Sequence, residues 1–226
     1  MKILHIDASP RYSRSHTRKL TQDFIALWQL KDPTATIIYR DLGKELPSFI
    51  NENWIGAAFT TANQRTPEQQ HQLNESDSLV EELMTADMVV MGVPMYNFGV
   101  PAVLKAWIDQ VVRVGRTFLF EPADQQPYKP LLTDKPTIIM VSTGDSGYEP
   151  DGPYASLNQV EPYLRTVLPF IGINQLHFIY AGNDEFGGER LAQSLLRAEQ
   201  QIQQLVDDAI LHQAGTHDVT PSHHRQ

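Results

Sequence analysis

The stretch Gly92–Asp109, GVPMYNFGVPAVLKAWID, decides the fold of this chain. It follows an apolar run at 88–91 that has the character of a buried strand, and two prolines bound the turn-prone residues after it. Apolar residues then recur at helical spacing, with Lys105, Asp109 and Arg113 expected to form ion pairs on the exposed side of the helix. We therefore predict a strand, a loop and an amphipathic helix. In an open α/β sheet, ligands bind in the loop that leaves the carboxyl end of a strand.

That loop carries side chains suited to a flat ring. Met95, Tyr96, Asn97 and Phe98 supply a thioether, two aromatic rings and an amide. Such side chains can lie along a flat heteroaromatic ring while backbone and amide groups bind its polar edge. The alternative is a core-packing turn that buries Met95 and Phe98. A flavin ring matches the first interpretation.

A second loop, 9–17 (SPRYSRSHT), follows the first predicted strand, and a helix is predicted to begin near Ser15. Helix amino termini offer free N–H groups and a partial positive charge, so the hydroxyls of Ser9, Ser15 and Thr17 can surround a phosphate there. The glycine fingerprint of a dinucleotide site is absent, which favours the single phosphate of a mononucleotide such as FMN. The alternative is that Ser15 only caps the helix and that the nearby arginines are solvated.

A third loop, 142–148 (STGDSGY), leaves the fourth predicted strand beside the loop at 94–101. Its glycines allow the backbone to approach a ring closely.

Five β-like runs, at 2–7, 35–40, 87–92, 136–142 and 175–180, alternate with helical patterns. This alternation predicts an α/β fold with a parallel sheet and helices on both faces. A length of 226 residues suits a single domain. Two long connections, 42–66 and 117–135, are rich in aromatic residues or proline, and we expect pocket walls or a subunit interface in them.

Composition narrows the function. A net charge of −9 opposes phosphate backbones and anionic lipid, so we predict no nucleic-acid or membrane partner. With no cysteine in the chain, thiol chemistry and iron–sulfur clusters are excluded. The histidines lack ligand spacing, so no metal site is predicted. Without a membrane-spanning run or a signal-peptide pattern, we expect a cytoplasmic protein.

The motifs PMYNF with the following P, LK and WID, SPRYSRSHTRKL, and VSTGDSGYEPDGP together resemble the FMN-dependent NADH:quinone oxidoreductases, also called FMN-dependent azoreductases. The resemblance implies a flavodoxin-like sandwich with strand order 2-1-3-4-5. We predict a single domain at 1–211 and, because residues 212–226 lack a core pattern, a flexible tail there. It assigns cofactor contacts to three groups of residues: Ser9, Ser15, His16 and Thr17 at the phosphate, Met95, Tyr96, Asn97 and Phe98 at the ring, and Ser142, Thr143, Gly144 and Asp145 at the ring edge. Thr143 and Asp145 stand where the family has arginine and glycine, so their side chains depart from the family pattern at the ring edge.

The resemblance also implies a reaction. NADH, or NADPH, reduces FMN at its N5 atom and leaves, and a quinone or an azo compound then takes the electrons in a ping-pong cycle, with two cycles for an azo bond. No side chain is predicted to act as a catalytic acid or base, since the cofactor carries the chemistry. Homodimers are expected, as in the family. The alternatives are a flavodoxin-like electron carrier and an NAD(P)H:FMN reductase.

Overall fold

The computed structural model describes the backbone of residues 1–217 and the side chains of residues 1–211. Seven strands are formed in this part of the chain: β1 (Lys2–Asp7), β2 (Thr36–Asp41), β3 (Met88–Pro94), β4 (Phe118–Phe120), β5 (Tyr128–Pro130), β6 (Thr137–Ser142) and β7 (Leu176–Ala181). Five of them make a parallel sheet in the order β2-β1-β3-β6-β7, while β4 and β5 form a separate antiparallel hairpin. When only the strands of the main sheet are numbered, this is the predicted order 2-1-3-4-5.

The same residues form six α-helices: α1 (His16–Lys31), α2 (Glu52–Phe59), α3 (Pro67–Thr85), α4 (Ala102–Val111), α5 (Val160–Ile171) and α6 (Gly188–His217). Helices α1 and α6 cover one face of the sheet, where Phe24 and Trp28 pack with Ile202. Helices α3, α4 and α5 cover the other face, where Leu83 and Trp107 belong to the core. The predicted three-layer sandwich is confirmed.

Helix α2 and the β4–β5 hairpin lie in the two connections that the sequence predicted to be long loops. Helix α2 has only eight residues and packs the buried Trp54 near Leu73 of α3. The hairpin strands have three residues each and are anchored by rings, since Phe118 lies 4.9 Å from Phe170 of α5. Elements this short depend on tertiary packing and leave almost no periodic pattern in the sequence.

The last helix extends further than predicted. Helix α6 continues to His217, six residues into the segment that was predicted to be a flexible tail from residue 212 onward. Residues 218–226 of that segment lie outside the described residues.

Arg113 departs from its predicted position. Lys105 and Asp109 form the expected pair, with Nζ 2.6 Å from Oδ1. The side chain of Arg113 is fully buried instead, and its Nη1 donates to Ser76 Oγ at 2.6 Å, with Nη2 3.3 Å from Asp77. Helix α4 ends at Val111, so the four-residue spacing that pairs exposed helical side chains no longer applies at position 113.

None of the helices within residues 1–217 has both the length and the apolar character that a membrane span requires.

Candidate functional site

A cleft lies at the carboxyl edge of the sheet. The strand register places Asp7 beside Gly92 and Ser142 beside both Pro94 and Ala181, so the loops after β1, β3, β6 and β7 meet at this edge. The strand order reverses between β1 and β3, which makes this edge the switch point where open α/β sheets bind ligands. Eight residues of the predicted site line the cleft: Ser9, Ser15, His16, Met95, Tyr96, Ser142, Thr143 and Gly144.

The loop after β1 presents hydrogen-bond donors to the cleft. Ser15 is the N-cap of α1, and its Oγ accepts from the Arg18 N–H at 3.3 Å. The first two helical residues, His16 and Thr17, have backbone N–H groups with no partner inside the helix. The side chain of Thr17 is fully buried behind the cleft, and its Oγ1 lies 3.2 Å from Ser15 Oγ. Ser15 is therefore an N-cap that also lines the cleft, so the two interpretations of this residue are compatible.

The buried side chain of Arg18 fixes the backbone of the same loop. Its Nη2 donates to the carbonyl oxygen of Ser9 at 2.6 Å, and its Nε donates to the carbonyl oxygen of Arg11 at 2.9 Å. Burial lowers the pKa of the Arg18 guanidinium, but Asp41 and Asp7 outweigh burial and hold that pKa above its ordinary value. Arg18 thus stays charged and ties the loop to the ends of β1 and β2.

Asp7 lies at the centre of this buried network and is fully buried. Burial raises the pKa of its carboxyl, but contacts with His5, the Thr21 hydroxyl and the Tyr39 phenol outweigh burial, and the net pKa lies below the ordinary value. A Cβ at Gly92 would lie 2.7 Å from Asp7 Oδ1, so the approach of β3 to this carboxylate requires a glycine. The floor of the cleft is therefore tightly packed.

Charged residues at the mouth of the cleft were missed by the sequence analysis. Arg11 and Arg14, taken there as candidates for solvated side chains, both line the cleft, as do Asp184 and Glu185 from the loop after β7. Asp184 lies 3.1 Å from Arg11 Nη1 and 3.0 Å from His16 Nε2. The pattern that could have found these acids is their position directly after the fifth predicted strand, whose carboxyl end lies at the same edge.

The loop after β3 is a tight turn with unusual backbone angles. The backbones of Tyr96 and Gly99 exchange two hydrogen bonds of 3.0 Å, while Asn97 and Phe98 between them have φ angles of 48° and 68°. Positive φ at both central residues is the mark of a type I′ turn, which favours glycine or asparagine. Phe98 is 48% exposed at the tip of the turn. The core-packing alternative is thus wrong for Phe98, whereas the half-buried Met95 does pack against the core.

The loop after β6 uses its own side chains for support. Thr143 Oγ1 donates to the Asp145 carbonyl oxygen at 2.6 Å, and Asp145 Oδ1 accepts from the Ser146 N–H at 2.7 Å. A Cβ at Gly144 would lie 2.7 Å from the Glu185 carboxyl carbon, so only glycine fits without a shift of Glu185. Thr143 and Asp145 therefore hold the shape of the loop.

No cluster of three metal-ligating side chains occurs among residues whose side chains the structure describes. The donors of the cleft fit a phosphate-bearing flavin instead. Open helix N–H groups, the Ser9 and Ser15 hydroxyls and two arginines suit a phosphate, and the exposed ring of Phe98 with the Gly144 backbone suits a flat ring nearby.

Fold and cleft together define a flavodoxin-like protein with a cleft at the switch point of its sheet. A family model described as "Flavodoxin-like fold" matches residues 1–206. The FMN-dependent NADH:quinone oxidoreductase 1 of Trichormus variabilis is 44% identical over 208 residues, which cover 91% of this chain and 96% of that protein. The chain therefore belongs to the family of FMN-dependent NADH:quinone oxidoreductases, as the sequence motifs predicted.

Solved structures agree on the fold. An azoreductase from Bacillus anthracis aligns with a TM-score of 0.81 at 23% identity, covering 92% of this chain and 99% of that one. An FMN-dependent NADH-azoreductase from Bacillus anthracis in complex with FMN aligns with a TM-score of 0.80 at 20% identity, covering 93% of this chain and 100% of that one.

Proposed function

We propose that this protein transfers two electrons from NADH, through FMN, to quinones, and that it cleaves aromatic azo compounds in two such cycles. The observation that carries the proposal is a cleft at the switch point, lined by serine hydroxyls, two arginines and the start of α1. The chain's relatives over nearly its whole length are named FMN-dependent NADH:quinone oxidoreductases. Membership of this family confirms the predicted dependence on FMN and NADH. FMN supplies the hydride-accepting atom, and the chain binds, orients and shields it.

The residue roles follow from position in the cleft. Ser9, Ser15 and the N–H groups of His16 and Thr17 hold the phosphate, with Arg11 and Arg14 adding positive charge. The loop at 95–98 contacts the flavin ring, and the loop at 142–145 contacts the edge of that ring. Asp184 already contacts Arg11 and His16, so a bound phosphate shares the positive charge of Arg11 with a carboxylate. No side chain serves as acid or base at the reacting atoms.

The protein also acts as a homodimer in the cytoplasm, with small quinone or azo substrates and no membrane or nucleic-acid partner. Exposed aromatic side chains support the dimer, because Phe59 of α2 and Phe120 and Tyr128 of the hairpin all face outward. Large rings on one surface are typical of contacts between subunits. Light scattering of the purified protein measures its molar mass, which we expect to be twice that of the 25.6 kDa chain.

Anaerobic titration with NADH tests the activity against its alternatives. We expect the yellow protein to retain FMN, to bleach at a stoichiometry of one NADH per flavin, and to recover its colour on addition of 1,4-benzoquinone. Mass analysis of the released cofactor distinguishes FMN from FAD. Slow bleaching without quinone turnover would indicate an electron carrier, and loss of the flavin after each reduction would indicate an FMN reductase.

A further inference from the structure

Three aromatic rings form a row on the loops after β3 and β6, whose residues Met95, Tyr96 and Gly144 line the cleft. Phe98, at the tip of the turn after β3, lies 6.4 Å from Tyr148 between ring centroids, and Tyr148 lies 5.6 Å from Tyr154. We call Phe98, Tyr148 and Tyr154 the aromatic row. Phe98 and Tyr154 are 48% and 42% exposed, and Tyr148 is half-buried between them. The row therefore offers ring surface to a ligand along its length.

Hydrogen bonds hold the backbone under the row. The carbonyl oxygen of Phe98 accepts from the Gln159 N–H at 2.8 Å, and the carbonyl oxygen of Tyr148 accepts from Asn158 Nδ2 at 2.9 Å. The Tyr154 N–H donates to the Gly147 carbonyl oxygen at 2.8 Å. Rings on such a fixed support lose little freedom when a ligand covers them, which favours binding.

The side chain of Asn158 links the loop after β6 to the neighbouring elements. It is 3% exposed, and its Nδ2 also donates to Tyr180 Oη on the edge strand at 2.8 Å. Its Oδ1 accepts from the Val160 N–H, at the start of α5, at 2.8 Å. The loop after β6 is thereby fastened to α5 and β7, so the position of Tyr148 is determined by the core of the protein.

Backbone strain at Phe98 points to a ligand rather than to packing. A bulky residue at a φ of 68° is an outlier, and glycine would serve the turn better. Such strain persists where the surroundings enforce it and clusters at binding sites. Here the strained residue places an exposed ring two positions after Tyr96, which lines the cleft.

We propose that the aromatic row is an extended substrate subsite that selects electron acceptors with several fused or linked aromatic rings over acceptors with one ring. The inference rests on the proposed function and names the substrate class for the same site. One end of the acceptor lies at the ring loop, and its remaining rings pack on Tyr148 and Tyr154. The 49° and 41° tilts between neighbouring rings let a flat ligand meet both ring faces and ring edges, which are favourable arrangements. The acids Glu149 and Asp151 in the same loop favour neutral acceptors over anionic ones.

The test compares a three-ring acceptor, 9,10-phenanthrenequinone, with the one-ring 1,4-benzoquinone. Binding to the oxidised, FMN-saturated protein is measured by fluorescence titration, and KM is measured with NADH as donor. The chain has no cysteine, so quinones do not arylate a thiol. Tyr148→Ala and the more exposed Tyr154→Ala remove one ring each, and Tyr148→Phe is the matched control that keeps the ring.

We expect both alanine variants to raise the Kd and the KM of the three-ring quinone by about 2- to 10-fold, as loss of one aromatic contact predicts. The values for benzoquinone, and the rate at which NADH reduces the FMN, stay at those of the parent, as do all values for Tyr148→Phe. Equal changes for both quinones, or no change for either, would overturn the subsite. So would a change of oligomeric state that accompanies the loss, because the row would then be a subunit contact. If the parent binds the three-ring quinone in this selective way but does not reduce it, the subsite stands and the proposed function fails.

Discussion

Phe98 has a side chain that disfavours the backbone conformation of its own position. Position 98 of the turn favours glycine, yet the chain places there a phenylalanine whose left-handed backbone costs about 1–2 kcal/mol. In the proposed function, the phenyl ring at this turn contacts the flavin, and this contact offsets the cost of the left-handed backbone. Stability and activity should therefore respond differently to substitution at this position.

We predict that Phe98→Gly is more stable than Phe98→Ala by about 1 kcal/mol, because only glycine relieves the strained φ angle. Both variants lack the ring, so both should slow the reduction of bound FMN by NADH to a similar degree, by up to ~100-fold if the flavin shifts by about 1 Å. Urea unfolding and stopped-flow reduction provide the two measurements. A parent-like rate in either variant would show that the ring does not position the flavin.

Ser15 combines two roles that a control variant can separate. Loss of a hydrogen bond to a charged group costs about 1.5–3 kcal/mol, so Ser15→Ala should weaken FMN binding by about 10- to 100-fold. Thr66 caps α3 in the same manner, with its Oγ1 accepting from the Gln69 N–H, but lies outside the cleft. Thr66→Ala should lose about 1 kcal/mol of stability and keep its FMN affinity. Equal affinities for both variants in a fluorescence titration would assign Ser15 to capping alone.

At the residue level, the sequence predicts those parts of the site that depend on local pattern. The hydroxyls at 9 and 15 and the ring loop were found because they follow strands and precede helices. Arg18 was not found, since its role depends on a partner far along the chain: its Nη2 donates to Asp41 Oδ1. Long-range pairing of this kind has no spacing rule.

At the scale of elements, Lys135 closes the end of a helix. Its Nζ donates to the Leu83 carbonyl oxygen at 2.7 Å and also to that of Ala86, so it binds carbonyl groups that the last turn of α3 leaves free. Burial lowers the pKa of the Lys135 ammonium. The group nevertheless lies at a helix carboxyl end, where positive charge is favourable.

We predict that Lys135→Met lowers the free energy of unfolding by about 2–4 kcal/mol, because buried carbonyl oxygens lose a charged donor. FMN affinity should not change, since Lys135 precedes β6 and thus lies at the amino edge of the sheet, opposite the cleft. Lys129→Met is the control: its ion pairs with Glu121 and Asp124 are exposed, and little change is expected. Similar urea midpoints for the two variants would contradict the role of Lys135.

Elements were predictable in proportion to their length and burial. All five strands of the main sheet were located to within two residues at each end because each is a short run rich in β-branched and apolar residues between helical patterns. Helix α5 begins at Val160, after a short 3-10 turn at Ala155–Leu157, because Asn158 accepts from the first N–H groups of α5. Such a cap can be identified only once the loop before it has been positioned.

At the scale of the whole molecule, the buried Asp7 makes stability depend on pH. Its pKa is lowered in the folded protein, so the ionised form stabilises the fold above the unfolded value of about 4, and this contribution is lost as pH falls through the folded pKa. We expect Asp7→Asn to be less stable than the parent at pH 7. The difference should narrow as pH falls from about 5 to 3, in urea melts at each pH. A gap that stays constant over this range would rule out linkage through Asp7.

Arg18 donates hydrogen bonds to the carbonyl oxygens of Ser9 and Arg11, and these bonds order the loop after β1 during folding. Fixing a residue's backbone costs about 1–2 kcal/mol of conformational entropy. Because a buried arginine already fixes this loop, the loss of backbone conformational entropy occurs when the chain folds and not when FMN binds. The loop should therefore have the same backbone conformation in the flavin-free and the FMN-bound protein, so that FMN binds to a site that is already formed.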